Sequence, residues 1–195
     1  MDTIFALASG HGKAGVAVTR VSGPHALEVA AAICGDVPPA RQASVRKLSW
    51  NGATIDHAIV IIFKQNQSFT GEISVEFQTH GSLAIIKALH TAIGDQVGTR
   101  PAEPGEFSRR ALENNRMDLA QIEGLADLID AETESQLRQA MRVFSGELGK
   151  TTETWRRNLI RGAALVEATI DFVVEDVPVD VSPEVSDLIE QTMAG

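Results

Sequence analysis

Between about residue 100 and Met117 the chain changes its period, and that change limits what it can fold into more than any other feature. In the first hundred residues, apolar side chains alternate or run in short β-branched blocks between turn signals. From Pro104 onward they recur every three or four residues, and strand signals disappear. A chain written in two periods reads as two domains of α+β organisation. A mixed α/β domain is expected over 1–117 and an all-helical domain over 118–195.

In the first part, residues 3–8 and 16–22 read as strands around a glycine-rich loop. Ser22, Gly23 and Pro24 read as a helix start, with proline where its missing N–H costs nothing, and Gly35 reads as the stop. Asn51–Gly52 between residues 44–50 and 53–63 is a hairpin signal, and A-I-V-I-I-F, apolar on both faces, predicts a central strand. Residues 73–79 alternate cleanly, and residues 82–93 predict an amphipathic helix ended by Gly94.

In the second part, Asp118 with Gln121 and Thr133 with Gln136 are capping-box patterns. No proline occurs between Thr133 and about Val174, and apolar residues from Leu137 and Met141 through Phe144, Leu148, Trp155 and Leu159 to Ile170 keep helical spacing. The spacing predicts one helix about 60 Å long at ~1.5 Å per residue, its seam interrupted only at Thr151–Thr152. Residues 177–183 break it, and Ser182–Pro183 start a last short helix. One long and one short helix cannot shield a seam on both sides. The expectation is an incomplete bundle that a second chain or a later segment completes.

Charge narrows the classes of partner. Seventeen Lys and Arg against 26 Asp and Glu give a net charge of −9. All of it lies in residues 100–195, where 10 basic side chains meet 19 acidic ones, while residues 1–99 balance at 7 each. Such a chain lacks the clustered cations that tight nucleic-acid binding needs. A single cysteine, Cys34, excludes an internal disulfide and a cysteine-rich zinc site, and it fits a reducing compartment. No signal-peptide pattern or membrane-length apolar run occurs, so the expected location is cytoplasmic, without a membrane partner.

Several residues bear on chemistry. Gly10, Gly12 and Gly15 spell G-x-G-x-x-G, but V-A-V-T-R-V-S follows where a dinucleotide site needs a helix N-terminus, so a turn between strands is the better reading. No phosphate-binding G-x-x-x-x-G-K-[ST] occurs, and the chain by itself is not expected to hydrolyse a nucleoside triphosphate. Arg20 shares a strand face with Val16 and Val18, read here as a core-facing stripe, where an arginine is either a buried ion pair or a ligand contact. Glu76 lies on a polar strand face with Glu72, Ser74, Gln78 and His80. That face is either solvated or places a carboxylate to accept two parallel N–H donors from a planar heterocycle. Arg109, Arg110 and Arg116 read as a solvated helix face, and Cys34 as inert.

Six segments, in order along the chain, go beyond spacing. They are Thr3–Gly23, S-F-T-G-E (Ser68–Glu72), V-E-F-Q-T-H-G (Val75–Gly81), P-G-E-F-S-R-R-A (Pro104–Ala111), D-L-A-Q-I-E-G-L-A-D-L-I-D-A (Asp118–Ala131) and E-A-T-I-D-F (Glu167–Phe172). Together they resemble the N-terminal part of the MnmE (TrmE) family of tRNA modification GTPases. The resemblance implies an α/β domain similar to folate-dependent aminomethyltransferase domains that dimerises and binds a reduced folate such as 5-formyltetrahydrofolate. It implies a helical domain into which a GTPase domain, using GTP, Mg²⁺ and K⁺, is inserted.

It also implies an FAD-dependent partner of the MnmG (GidA) type and modification of carbon 5 of the wobble uridine of tRNA, with the folate as one-carbon source. Carried over to this sequence, the folate contacts fall at Arg20, Glu76 and Arg116. No catalytic or metal residue is implied in this chain. Family members usually have lysine where Arg116 stands, Thr-Pro at Ser9–Gly10 and a second glycine at Ser82. The sequence stops at Gly195, before the expected GTPase insertion, and reads as a fragment or a truncated product. A non-catalytic scaffold or dimerisation module that has lost its ligand chemistry is the competing reading, and a free-standing folate-dependent transferase is a third.

Overall fold

The computed structural model describes residues 2–171 and 181–194. By its internal contacts the chain divides into two compact units, Met1–Met117 and Asp118–Gly195.

Unit 1 is built on a six-stranded sheet in the order β3-β4-β5-β2-β1-β6. Its strands are β1 (Thr3–Leu7), β2 (Ala14–Ser22), β3 (Ser44–Trp50), β4 (Ala53–Phe63), β5 (Ser74–Gly81) and β6 (Thr99–Pro101). All neighbouring pairs are antiparallel except β1 with β6. Asn51 and Gly52, both at positive φ (50° and 78°), make the tight β3–β4 turn that the dipeptide predicts. Three helices complete the unit: α1 (Ala26–Cys34), α2 (Leu83–Gly94) and α3 (Glu106–Glu113). α1 and α2 bury Val29, Ile33, Leu89 and Ile93 against Val21, Val60, Val75 and Phe77 in one apolar cluster.

Three expectations for this unit need correction, and one strand is not anticipated from the sequence. β4 is interior to the sheet, as its composition predicts, but only its Ala58, Val60 and Ile62 face is buried, and Ile59 is exposed. α1 starts at Ala26 and not beside Ser22, leaving Pro24 in the preceding turn. The reason is tertiary: the His25 backbone N–H donates to the hydroxyl of Thr3 (2.8 Å), so a distant strand supplies the cap. β6 carries no periodic signal, and it is a strand only because β1 pairs with it. On β2 the core-facing stripe is Ala17, Thr19 and Val21, so Arg20 lies on the other face of the sheet.

Among the described residues unit 2 holds helices and no strand: α4 (Leu119–Asp130), α5 (Glu134–Phe144), α6 (Glu147–Asp171) and α7 (Ser182–Ala194). Both capping boxes form as read. Asp118 accepts from the Gln121 N–H (2.7 Å), and Thr133 accepts from the Gln136 N–H (3.3 Å). The single long helix does not form. It breaks at Ser145–Gly146, where Gly146 takes φ 78°, while Thr151 and Thr152 continue inside α6 with the Thr152 hydroxyl donating to the Leu148 carbonyl (3.0 Å). Ser182 and Pro183 open α7, with the Val185 N–H donating to the Val181 carbonyl (3.0 Å). The expected break at 177–180 lies outside the described residues.

Candidate functional site

The polar face of the sheet in unit 1 gathers the charged side chains. Arg20 on β2 and Glu76 on β5 are register partners, and Arg20 Nε and Nη2 each lie 2.9 Å from Glu76 Oε1. Both side chains are about one-fifth exposed. Nε donates to Oε1 with Nη2 close beside it, and Glu76 Oε2 receives no hydrogen bond among the described residues. The Arg20 guanidinium also lies over two rings, 5.0 Å from the Phe69 centroid and 5.6 Å from that of Phe107. A half-buried carboxylate with one open oxygen, a guanidinium and two aromatic faces can take a planar, polar ring with N–H donors at its edge.

Phe69 and Phe107 come from segments that a salt-bridge network ties together. Arg110 on α3 is 7 % exposed, and its Nη2 donates to Glu106 Oε1 (3.0 Å) and Asp2 Oδ1 (2.8 Å). Its Nη1 donates to the Asp2 carbonyl (2.9 Å) and to both oxygens of Glu72 (3.1 and 3.2 Å). Arg100 on β6 pairs with Asp2 and, through Nη2, with Glu106 Oε1 (2.6 Å). The expected solvated arginine face is therefore wrong for Arg110, which is buried because five acceptors converge on it. The hydrogen bond from Arg100, helped by Arg110, outweighs burial and holds the Glu106 carboxyl down at about 2.

A hydroxyl cluster joins the same network. Ser22 Oγ donates to Glu72 Oε2 (2.7 Å) and lies 2.7 Å from the Thr70 hydroxyl. Ser68 Oγ donates to the Glu72 carbonyl (2.6 Å), and Asn114 Nδ2 donates to the Thr70 carbonyl (2.8 Å). The loop 68–72 is thus held from β2 on one side and from α3 and the turn after it on the other.

Of the three residues read from sequence, the structure brings Arg20 and Glu76 into direct contact. Arg116 is exposed and makes no ion pair among the described residues. Its stem lies against Gly71, where an added Cβ would sit 3.0 Å from Arg116 Cγ. Arg116 therefore borders the loop that carries Phe69. Sequence reasoning gave no role to Phe69, Phe107, Glu72 or Arg110. The available signal was the i,i+4 pair of Glu106 and Arg110, with Phe107 between them on the same helix.

Other candidates offer less. His80 on β5 pairs with Asp56 (2.9 Å), and no group of three or more potential metal ligands occurs among the described residues. The glycine loop at 10–15 leads into β2 and not into a helix, so it lacks the N-terminus that a dinucleotide needs. Burial pushes the Cys34 thiol up to about 11, which keeps it unreactive. A hollow of about 700 Å³ beside β1 and α2 is lined by apolar residues including Phe5 and Ile86, with His11, Lys87, His90 and Thr91 as its polar side chains. Burial lowers the pKa of His90, which lies 3.2 Å from the Thr19 hydroxyl. No described helix is long and apolar enough to cross a membrane.

Comparisons with known proteins agree on both units. Residues 3–116 match the family described as GTP-binding protein TrmE N-terminus, and residues 119–194 match the MnmE helical domain. The tRNA modification GTPase MnmE of Cereibacter sphaeroides is 58 % identical over 194 residues, covering 100 % of this chain and 45 % of that protein. The protein of the same name from Roseobacter denitrificans is 59 % identical over 191 residues, 97 % of this chain and 45 % of its own length. The Caulobacter vibrioides relative is 52 % identical over 181 residues, 93 % of this chain and 40 % of its own. The chain spans less than half the length of these curated relatives.

Proposed function

This chain belongs to the MnmE (TrmE) family of tRNA modification GTPases, and from that premise we propose that its first unit binds a reduced folate at Arg20, Glu76 and Arg116. The observation that carries the reading is the Arg20–Glu76 pair beneath Phe69 and Phe107, with Glu76 Oε2 open. A reduced pterin presents an amino group and a ring N–H side by side, spaced to match one carboxylate. Arg20 holds Oε1 through Nε, with Nη2 at 2.9 Å, so a ring that pairs with both oxygens of Glu76 competes with Arg20 for Oε1. The freed guanidinium, and that of Arg116, can then meet carbonyl or carboxylate groups of the folate.

The bound folate supplies a one-carbon unit. The protein's part is to bind and orient it on a face whose β-strands hold Arg20 and Glu76 in register. The whole-protein activity is modification of carbon 5 of the wobble uridine of tRNA, with a second protein of FAD-dependent MnmG type. GTP hydrolysis with Mg²⁺ and K⁺ belongs to a GTPase domain outside this sequence, and the setting is the cytoplasm. The chain acts as a homodimer, paired chiefly through the first unit. Leu148, Leu159 and Val166, exposed in unit 2, are the surface for the remainder of a longer protein or a second copy.

Calorimetry with 5-formyltetrahydrofolate, run beside light scattering at tens of micromolar, tests the reading. Glu76→Ala should keep its fold and lose about 30- to 1,000-fold in affinity, as expected for a charge-assisted pair of hydrogen bonds worth about 2–4 kcal/mol. Wild-type affinity in that variant sinks the pterin assignment. A monomer mass for the wild type removes the dimer.

A further inference from the structure

We infer that Glu72, clamped between Ser22 and Arg110, is a positioning residue that sets Arg20 beneath the rings of Phe69 and Phe107. The inference rests on the folate reading only for its effect on affinity.

Arg20 and Ser22 lie on the same face of β2, two residues apart, opposite Glu76 and Ser74 of β5. Glu72 closes the end of that face. Its Oε2 accepts from Ser22 Oγ at 2.7 Å, and both of its oxygens accept from Arg110 Nη1 at 3.1 and 3.2 Å. Its own carbonyl accepts from Ser68 Oγ at 2.6 Å. One residue therefore ties β2, the loop 68–72 and α3 together. The two rings over Arg20 ride on the tied parts: Phe69 lies between Ser68 and Thr70, and Phe107 lies one helical turn before Arg110.

Glu72 makes no hydrogen bond or ion pair with Arg20 among the described residues, so its effect on the site runs through these ties. A carboxylate suits the place because both its oxygens accept from Arg110 while one also accepts from Ser22, whereas an amide would turn an N–H donor toward a guanidinium N–H or toward Ser22. At 12 % side-chain exposure, with Arg110 at 7 %, the pair is dry enough for its geometry to be held.

The test compares Glu72→Gln with Ser22→Ala, the milder variant, which deletes one hydrogen bond to Glu72 and leaves every charge in place. Circular dichroism establishes that each is folded. Side-chain NMR of Arg20 then reads the ring-current shift imposed by Phe69 and Phe107, a signal that a merely stabilising role would leave alone. In wild type the Arg20 Nε–H and Cδ protons should lie upfield, and Phe107→Leu should remove part of that shift. Glu72→Gln should remove at least about half of it, Ser22→Ala less. Affinity for 5-formyltetrahydrofolate should fall roughly tenfold in Glu72→Gln, and the same substitution should cost little more in a Phe107→Leu background.

Arg20 resonances at wild-type positions in folded Glu72→Gln and Ser22→Ala overturn the inference. So do losses that simply add in the double variant. A wild-type chain that binds no folate defeats the functional reading instead, while the NMR comparison still decides the role of Glu72.

Discussion

The two units use the same alphabet of apolar residues and reach opposite results. In unit 1, two helices close one face of a six-stranded sheet, and Phe77, Ile33, Leu89 and Val60 lose all contact with water. In unit 2, among the described residues, only Ala140 joins the buried apolar set, while Leu159, Val166, Ile170 and Met193 stay exposed. Gly124 lies close against backbone there, since an added Cβ would stand 2.7 Å from the Phe144 nitrogen. The helices of unit 2 are defined by local devices such as capping boxes and i,i+3 and i,i+4 ion pairs, each worth about 1 kcal/mol or less. A periodic stripe is thus a condition for a core. It becomes one only where another element covers it.

Paired substitutions break that comparison most sharply. Phe77→Ala should cost unit 1 about 3–5 kcal/mol in chemical denaturation, whereas Leu159→Ala, 58 % exposed, should shift unit 2 by no more than ~0.5 kcal/mol. Equal losses would show that Leu159 is covered in solution.

Acid supplies the next contrast. Glu106 is almost fully buried in the Arg100–Arg110 network, and its folded pKa of about 2 lies below the usual carboxylate value. Its stabilisation is therefore complete above the unfolded pKa and is lost as pH falls from about 4.5 to about 2, on the order of 3 kcal/mol. Unit 1 should weaken through that window in pH-dependent denaturation, and Glu106→Gln should be less stable at neutral pH with a flatter slope. An unchanged slope would mean that other carboxylates carry the acid response.

The smallest effect sharpens the picture of unit 2. Gly124→Ala should cost about 1–3 kcal/mol by forcing α4 and α5 apart, read as lost helical signal on heating. A neutral result would mean that this crossing contributes nothing to the unit.

What the sequence by itself determined is the set of features decided within a few residues. The Asn51–Gly52 turn, the Gly35 stop and the capping boxes at Asp118 and Thr133 depend on local donors, acceptors and φ values, which side chains near in sequence supply. The break at Gly146 belongs to this class too. It was hidden because the apolar spacing runs through it unchanged, and only the left-handed backbone of glycine marks it.

Tertiary structure alone decided the rest. Val16–Val18 and Ala17–Val21 are both apolar stripes of β2, and only the helices that cover one face choose between them. Residues 20 and 76 meet because the register of β2 with β5 places them opposite one another, and nothing in either segment encodes that register. The burial of Arg110 follows in the same way. Asp2, Glu72 and Arg100 reach Glu106 and Arg110 from other parts of the chain, and a charge can be buried only where such partners converge.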